Sequence, residues 1–275
     1  MFLDKWYADV FDGHRVNIFY KAALSFGPAV LGYGGSISSD GRADAAFSAG
    51  AIVLPRQVNN TLWWPSTRGD SGDSGVLTWA GVQPLETILW SAGNRLITWN
   101  PLVLNGKVTG PGLTPDARGY AERLTINFLP WQLGLRRLKW GRFCGREHSL
   151  AWIEWEGRHP LRLCLFDGRT RALHEATLDH VGCDELALHI SQRQSLVQEE
   201  LADGALREMP SLGKRVSPRF LRGVERKWSA RGELTSGALA AGSADAAGRA
   251  RLESHQCPGQ RFDEGSVIVE EVVWS

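Results

Sequence analysis

Residues 119–155 read GYAERLTINFLPWQLGLRRLKWGRFCGREHSLAWIEW, and the period of this stretch decides the fold. Tyr120, Glu122, Leu124, Ile126 and Phe128 fall on one side of a two-residue alternation, with Arg123, Thr125 and Asn127 on the other. Pro130 and Gly145 divide the stretch into three short strands. Leu138, Trp140 and Arg142 share a side of the second strand, and Trp152 and Glu154 belong to the third. Glu122 is thus a carboxylate on an otherwise apolar and aromatic face. Burial of that face would raise its pKa and let it keep a proton near neutrality.

The same alternation extends in both directions. Trp6, Ala8 and Val10 oppose Tyr7, Asp9 and Phe11, so Asp9 is a second acid among rings. Val16, Ile18, Tyr20, Ala22 and Leu24 form a clean half-buried face, the mark of an antiparallel strand. Short strands are expected at 30–38, 45–54, 76–80, 87–90, 95–99 and 102–108, and beyond residue 155 at 171–178, 185–191, 220–234 and 265–274. Asp12-Gly13, Glu156-Gly157 and Asp167-Gly168 read as hairpin turns. In the last strand, Glu270 and Glu271 take opposite faces, so one of them must sit among apolar neighbours. Ser195–Met209 is the one helix expected, and 237–248 reads as a hairpin loop. About sixteen strands joined by hairpins predict an all-β protein of two antiparallel barrels or sandwiches. The Pro130 break sets the expected domains at 1–129 and 130–275.

Composition narrows the function. A chain of 275 residues can bury two cores, and a net charge of +1 gives no basic field for nucleic acid. The opening MFLDKWYADV has early charges and no apolar run of signal-peptide length, so a cytoplasmic protein without transmembrane segments is expected. Cys144, Cys164, Cys183 and Cys257 are widely spaced and read as free thiols in a reducing compartment. No His spacing suits a metal, the Asp70/Asp73 loop lacks the further ligands that calcium needs, and no metal site is expected. Gly32-Tyr-Gly-Gly35 lacks the lysine and helix of a phosphate loop, and no G-x-S-x-G elbow occurs.

Three motifs in order, Trp6-Tyr-Ala-Asp9, Gly119-Tyr-Ala-Glu122 and Leu138-Lys-Trp-Gly-Arg-Phe143, resemble the carotenoid hydratase (hydroxyneurosporene synthase) family. That family belongs to a lipocalin-like group with tocopherol cyclase-like proteins, AttH-domain proteins and fungal Diels–Alderases. The hydratases are longer and usually carry aspartate, followed by asparagine and tryptophan, where this chain has Glu122-Arg123-Leu124. The resemblance implies two lipocalin-like domains holding a hydrophobic ligand, with hydration or cyclisation of C=C bonds and no cofactor. Such chemistry needs a proton donor near carbon and rings to cradle a cation. Glu122 is the expected donor and Asp9 the second acid. Trp6, Tyr7, Tyr120, Trp140, Arg142, Trp152 and Glu154 are the expected substrate-binding residues. The partner expected is then a hydrophobic small molecule, loaded by transient contact with a membrane surface. A pericyclase that folds a polyene, and a binder without catalysis, are the alternatives.

Overall fold

The computed structural model describes residues 1–13, 15–50, 52–65, 75–83, 85, 87–201, 222–236 and 261–274. The loop carrying Asp70 and Asp73 and the expected hairpin loop at 237–248 lie outside these residues, as does Cys257. The described residues form an all-β protein of two antiparallel sheets, that is, two lipocalin-like β-domains.

The first sheet comprises β1 (Phe2–Asp12), β2 (Arg15–Phe26), β3 (Ala29–Ser38), β4 (Ala43–Ala49), β5 (Arg56–Val58), β6 (Thr61–Trp64), β7 (Leu77–Ala80), β8 (Thr87–Ala92), β9 (Arg95–Thr109) and β10 (Arg118–Ile126). A 3-10 turn at Pro130–Leu133 leads into the second sheet. That sheet comprises β11 (Leu135–Gly145), β12 (Ser149–Gly157), β13 (Leu161–Phe166), β14 (Arg169–Arg171), β15 (Leu173–Ala176), β16 (His180–Cys183), β17 (Leu186–Glu200), β18 (Val224–Ser236) and β19 (Arg261–Val273). The strand orders are 4-3-2-1-10-9-7-6-5 and 14-13-12-11-19-18-17-16-15, with β8 pairing on β9. Leaving β8 aside, the orders are the same. In each sheet the first strand lies beside the last, and the rest run outward as meanders.

Alternation sorts the side chains into three cores. Trp6, Ala8, Val10, Trp64, Trp79 and Ala121 pack on one face of the first sheet. Phe143, Leu150, Trp152, Leu188 and Val269 do the same for the second sheet. The third core joins the sheets through the opposite faces, with Tyr7, Ile18, Tyr20, Trp99 and Tyr120 meeting Trp140, Ile153, Trp155 and Ile268. Asp167 and Gly168 both take positive φ (47° and 77°), the conformation of the expected hairpin turn.

Three expectations are corrected. Residues 195–200 of the expected Ser195–Met209 helix belong to β17, where Ser195 and Val197 pair with Trp228 and Lys227 of β18; residues 202–209 lie outside those described. Ladder pairing along a neighbouring strand overrides a local helical pattern. The strands at 95–99 and 102–108 are one strand, β9, running through Pro101. Pro101 sits opposite Glu122 beside a register shift, a position where its missing N–H is tolerated. The single strand expected at 171–178 is split into β14 and β15.

Two motif glycines have steric causes. A Cβ on Gly119 would lie 2.0 Å from the Asp9 carbonyl oxygen, which accepts the Trp79 indole N–H at 3.0 Å. A Cβ on Gly141 would lie 2.1 Å from the Trp152 ring. Gly119→Ala therefore overpacks the β1–β10 seam against backbone. It should cost about 1–3 kcal/mol, read as a lower urea midpoint with an unchanged slope; an unchanged midpoint would show that the seam has slack.

Candidate active site

A cavity of about 260 Å³ lies in the core between the sheets. Leu3, Lys5 and Tyr7 of β1, Ile97 and Trp99 of β9, and Glu122, Leu124 and Ile126 of β10 line one side. Leu138 and Trp140 of β11, Ile153 and Trp155 of β12, Glu225 of β18, and Glu270 and Val272 of β19 line the other. The walls are mostly aliphatic and aromatic, and the volume is at the small end of the roughly 300–1,000 Å³ usual for ligand pockets.

Glu122 is half-buried, and its accessible part opens onto this cavity. Three donors converge on Oε2: Trp99 Nε1 at 2.5 Å, the Tyr120 hydroxyl at 2.7 Å and Trp140 Nε1 at 3.2 Å. Oε1 takes no hydrogen bond from the described residues. A carboxylate oxygen offers about two lone-pair sites, so Oε2 is saturated and an acid proton must reside on Oε1, the atom left for a ligand. Removal from water raises the Glu122 pKa, against the pull of the Trp99 and Tyr120 hydrogen bonds and the charge of Lys5. Burial, and then Glu122 itself, raise the Tyr120 phenol, which therefore remains a donor. The Tyr7 and Trp140 rings lie 4.8 Å apart, and the Tyr120 and Trp140 rings 5.8 Å apart, so the acid sits amid π-faces suited to a cation.

Asp9 is different. It is fully buried, it does not line the cavity, and Arg142 grips it with Nε at 2.7 Å and Nη2 at 2.5 Å. The Tyr7 hydroxyl and the Tyr120 N–H complete its shell at 2.9 and 3.1 Å. Burial raises the Asp9 carboxyl, opposed by all of these partners; the carboxylate in turn keeps Arg142 charged. A proton on Asp9 would displace a donor, so the geometry is that of an ionised pair. Arg142 also lies over the Phe11 ring at 4.3 Å.

Of the residues expected from sequence, the structure brings Glu122, Tyr7 and Trp140 onto the cavity and places Tyr120 just behind it. Trp6 and Trp152 belong to the cores on the far faces of the two sheets. Glu154 is also turned away, bonded to Lys139 at 3.0 Å and Arg162 at 2.8 Å. Arg123, on the opposite face of β10 from Glu122, pairs with Asp4. Trp99, Lys5, Trp155 and Glu270 were missed as site residues. Trp99 shares a face with Ile97 in the two-residue alternation, a signal that marks its face but not its reach to Glu122. Among the described residues no cluster of three or more His, Cys, Asp or Glu could hold a metal, and no helix is long and apolar enough to cross a membrane.

No family model matches the chain, and no curated sequence matches it significantly. Solved structures do. Kievitone hydratase from Nectria haematococca superposes with a TM-score of 0.52 at 10% identity, over 98% of this chain and 89% of that one. CghA in complex with Sch210972 gives 0.51 at 10% identity, over 100% of this chain and 89% of that one. A putative AttH protein from Nitrosomonas europaea gives 0.47 at 10% identity, over 98% and 91%. The first two share the two-domain, lipocalin-like fold of this chain.

Two predictions follow from the geometry. Because the fold favours the protonated form of Glu122, its contribution to stability is complete below the ordinary value of 4.5 and is lost as pH rises through the folded value. Urea unfolding of the wild type and Glu122→Gln across pH 4–8 should show the variant gaining relative stability with pH, by up to about 1.4 kcal/mol per pH unit. A flat difference would mean that Glu122 titrates normally. Separately, Arg142→Met alone should destabilise by about 3–5 kcal/mol, and adding Asp9→Leu should recover most of that loss; additive losses would refute the pairing.

Proposed function

We propose that this protein is a cofactor-independent enzyme that protonates a carbon–carbon double bond of a compact hydrophobic molecule, leading to hydration or cyclisation. The observation that carries this reading is Glu122, an acid on a mostly apolar wall with Oε2 saturated by three neutral donors and Oε1 free. Proton delivery from Oε1 to an alkene carbon leaves a carboxylate that the same three donors stabilise, while the rings of Tyr7, Trp140 and Trp99 face the developing cation. Asp9 and Arg142 act here as positioning residues, since the Asp9 carboxylate holds both the Tyr7 hydroxyl and the backbone of Tyr120.

An isoprenoid or a short polyene suits the lining, and the cavity volume favours a compact molecule over a long linear carotene. The occurrence of the fold in a protein named as a hydratase supports hydration, and its occurrence in a protein crystallised with Sch210972 supports a ligand-binding role. Three buried free thiols suit a reducing compartment, and we assign the protein to the cytoplasm.

The test is incubation of the purified protein with an organic extract of its native cells in D₂O, read by mass spectrometry. Wild type should convert one component into a product with a carbon-bound, non-exchangeable deuterium. Glu122→Gln should lose that conversion by about a hundredfold or more. A product without carbon-bound deuterium would assign a shape-driven pericyclic reaction instead, and an unchanged extract would leave only binding.

A further inference from the structure

Glu122 shares its cavity with a second acid whose setting is complementary. Lys227 of β18 is fully buried and points between the sheets, with Nζ 2.9 Å from Glu225 Oε1, 2.9 Å from Glu270 Oε2, and hydrogen-bonded to the Tyr20 hydroxyl. The Glu270 side chain is 12% exposed and lines the cavity. Its Oε2 is held by the ammonium, and its Oε1 takes no hydrogen bond from the described residues.

The repeated strand order gives Glu270 its address. In the first sheet Tyr7 of the opening strand pairs with Glu122 of the closing strand; in the second, Trp140 of the opening strand pairs with Glu270 of the closing strand. Glu122 and Glu270 thus hold corresponding places in the two sheets and face the same space. Trp140 links them directly, because its backbone lies beside Glu270 in the ladder and its indole N–H donates to Glu122. What differs is the donor. Glu122 is held by indoles and a phenol, all neutral, whereas Glu270 is held by a cation. The first arrangement suits an acid that keeps its proton and the second a carboxylate ready to accept one. Glu225, the other acid on Lys227, pairs with Val272 in the ladder, two residues from Gly223, which lies beside Leu201 and Trp274, and its ladder partner is not Trp140 or a neighbour of it on β11.

We propose that Glu270 is the proton acceptor of the reaction, a second catalytic residue working against Glu122 across the cavity, with Lys227 as the positioning residue that holds its Oε2 and leaves Oε1 toward the ligand. The inference rests on the acid-catalysed reading above. In hydration, the proton on Glu122 Oε1 forms the new C–H bond and the π-bond is spent. Water then adds its oxygen to the cationic carbon and loses a proton to Glu270 Oε1. The sum is addition of one water, and transfer of the proton from Glu270 to Glu122 through solvent restores both groups. In cyclisation, the proton lost to Glu270 comes from carbon, and the sum is isomerisation.

The experiment uses Glu270→Gln, Glu270→Asp and Glu122→Gln in the same cell extract in D₂O, following both the product and the recovered substrate. Glu270→Gln leaves Lys227 paired with Glu225 and is close to isosteric, and its urea midpoint and its binding of anilinonaphthalene sulfonate check fold and cavity. Product formation should fall about a hundredfold to ten-thousandfold, while recovered substrate still gains carbon-bound deuterium, because Glu122 delivers a deuteron to the alkene and the cation returns to alkene by losing a light proton to Glu122, which solvent then replaces with deuterium. Glu270→Asp should restore part of the product, and Glu122→Gln should lose both signals. Product at the wild-type rate from Glu270→Gln would overturn the assignment and leave the role of Glu122 standing. Loss of product and exchange together would overturn it too, by making Glu270 a support of the cavity. A wild-type product without carbon-bound deuterium would instead overturn the acid-catalysed reading itself.

Discussion

The bidentate bond between Asp9 and Arg142 is the constraint from which the site follows. It ties the first strand of one sheet to the first strand of the other, in a place with no access to water. A buried charge without its partner is strongly unfavourable, whereas a pair with every donor and acceptor used is tolerated. The sheets can therefore meet in only one register, the one that sets guanidinium against carboxylate. That register also brings the Tyr7 and Trp140 rings into contact, carries the Trp140 indole to Glu122, and leaves an apolar space beside them.

Burial alone does not decide what a carboxylate does; its donors do. Asp9 and Glu122 lie on equivalent faces of adjacent strands, both amid aromatic rings. Asp9 accepts from a guanidinium, a phenol and a backbone N–H, and every position on it is filled. Glu122 accepts only from neutral groups, and only on one oxygen. The first is locked as an anion and the second is free to hold and release a proton. Tyrosines join the two, since Tyr7 donates to Asp9 while Tyr120 gives its N–H to Asp9 and its hydroxyl to Glu122. Displacement of the ion pair would be felt at the acid through these bonds.

Much of this was legible in the residues. Two-residue alternation gave the faces of β1, β2 and β10 correctly, and so put Tyr7, Tyr120 and Glu122 on one side and Trp6 on the other. Alternation says which residues share a face, but it is silent on which of two faces meets the other sheet. Trp152 and Glu154 were therefore expected in the site on the strength of an aromatic next to an acid, although they face away from it. Depth along a strand is equally hidden: Asp9 shares the face of Tyr7, yet one step further along that face the space is filled by Arg142. The 195–200 segment shows the converse limit. Its leucine, valine and acids fit a helix locally, and only the partner strand β18, far along the chain, makes it extended.

The matching strand orders have a consequence for how the halves came to hold each other. Asp9 stands two residues beyond Tyr7 and Arg142 two beyond Trp140, on strands that occupy the same place in their sheets. An assembly of two identical copies in this arrangement would set aspartate against aspartate or arginine against arginine, in a dry environment where like charges repel most strongly. Joining the halves in one polypeptide frees each to carry the opposite sign. The join is thus made of a contact that no symmetric dimer of either half can form, and the chemical inequality of the two sides of the cavity comes with it.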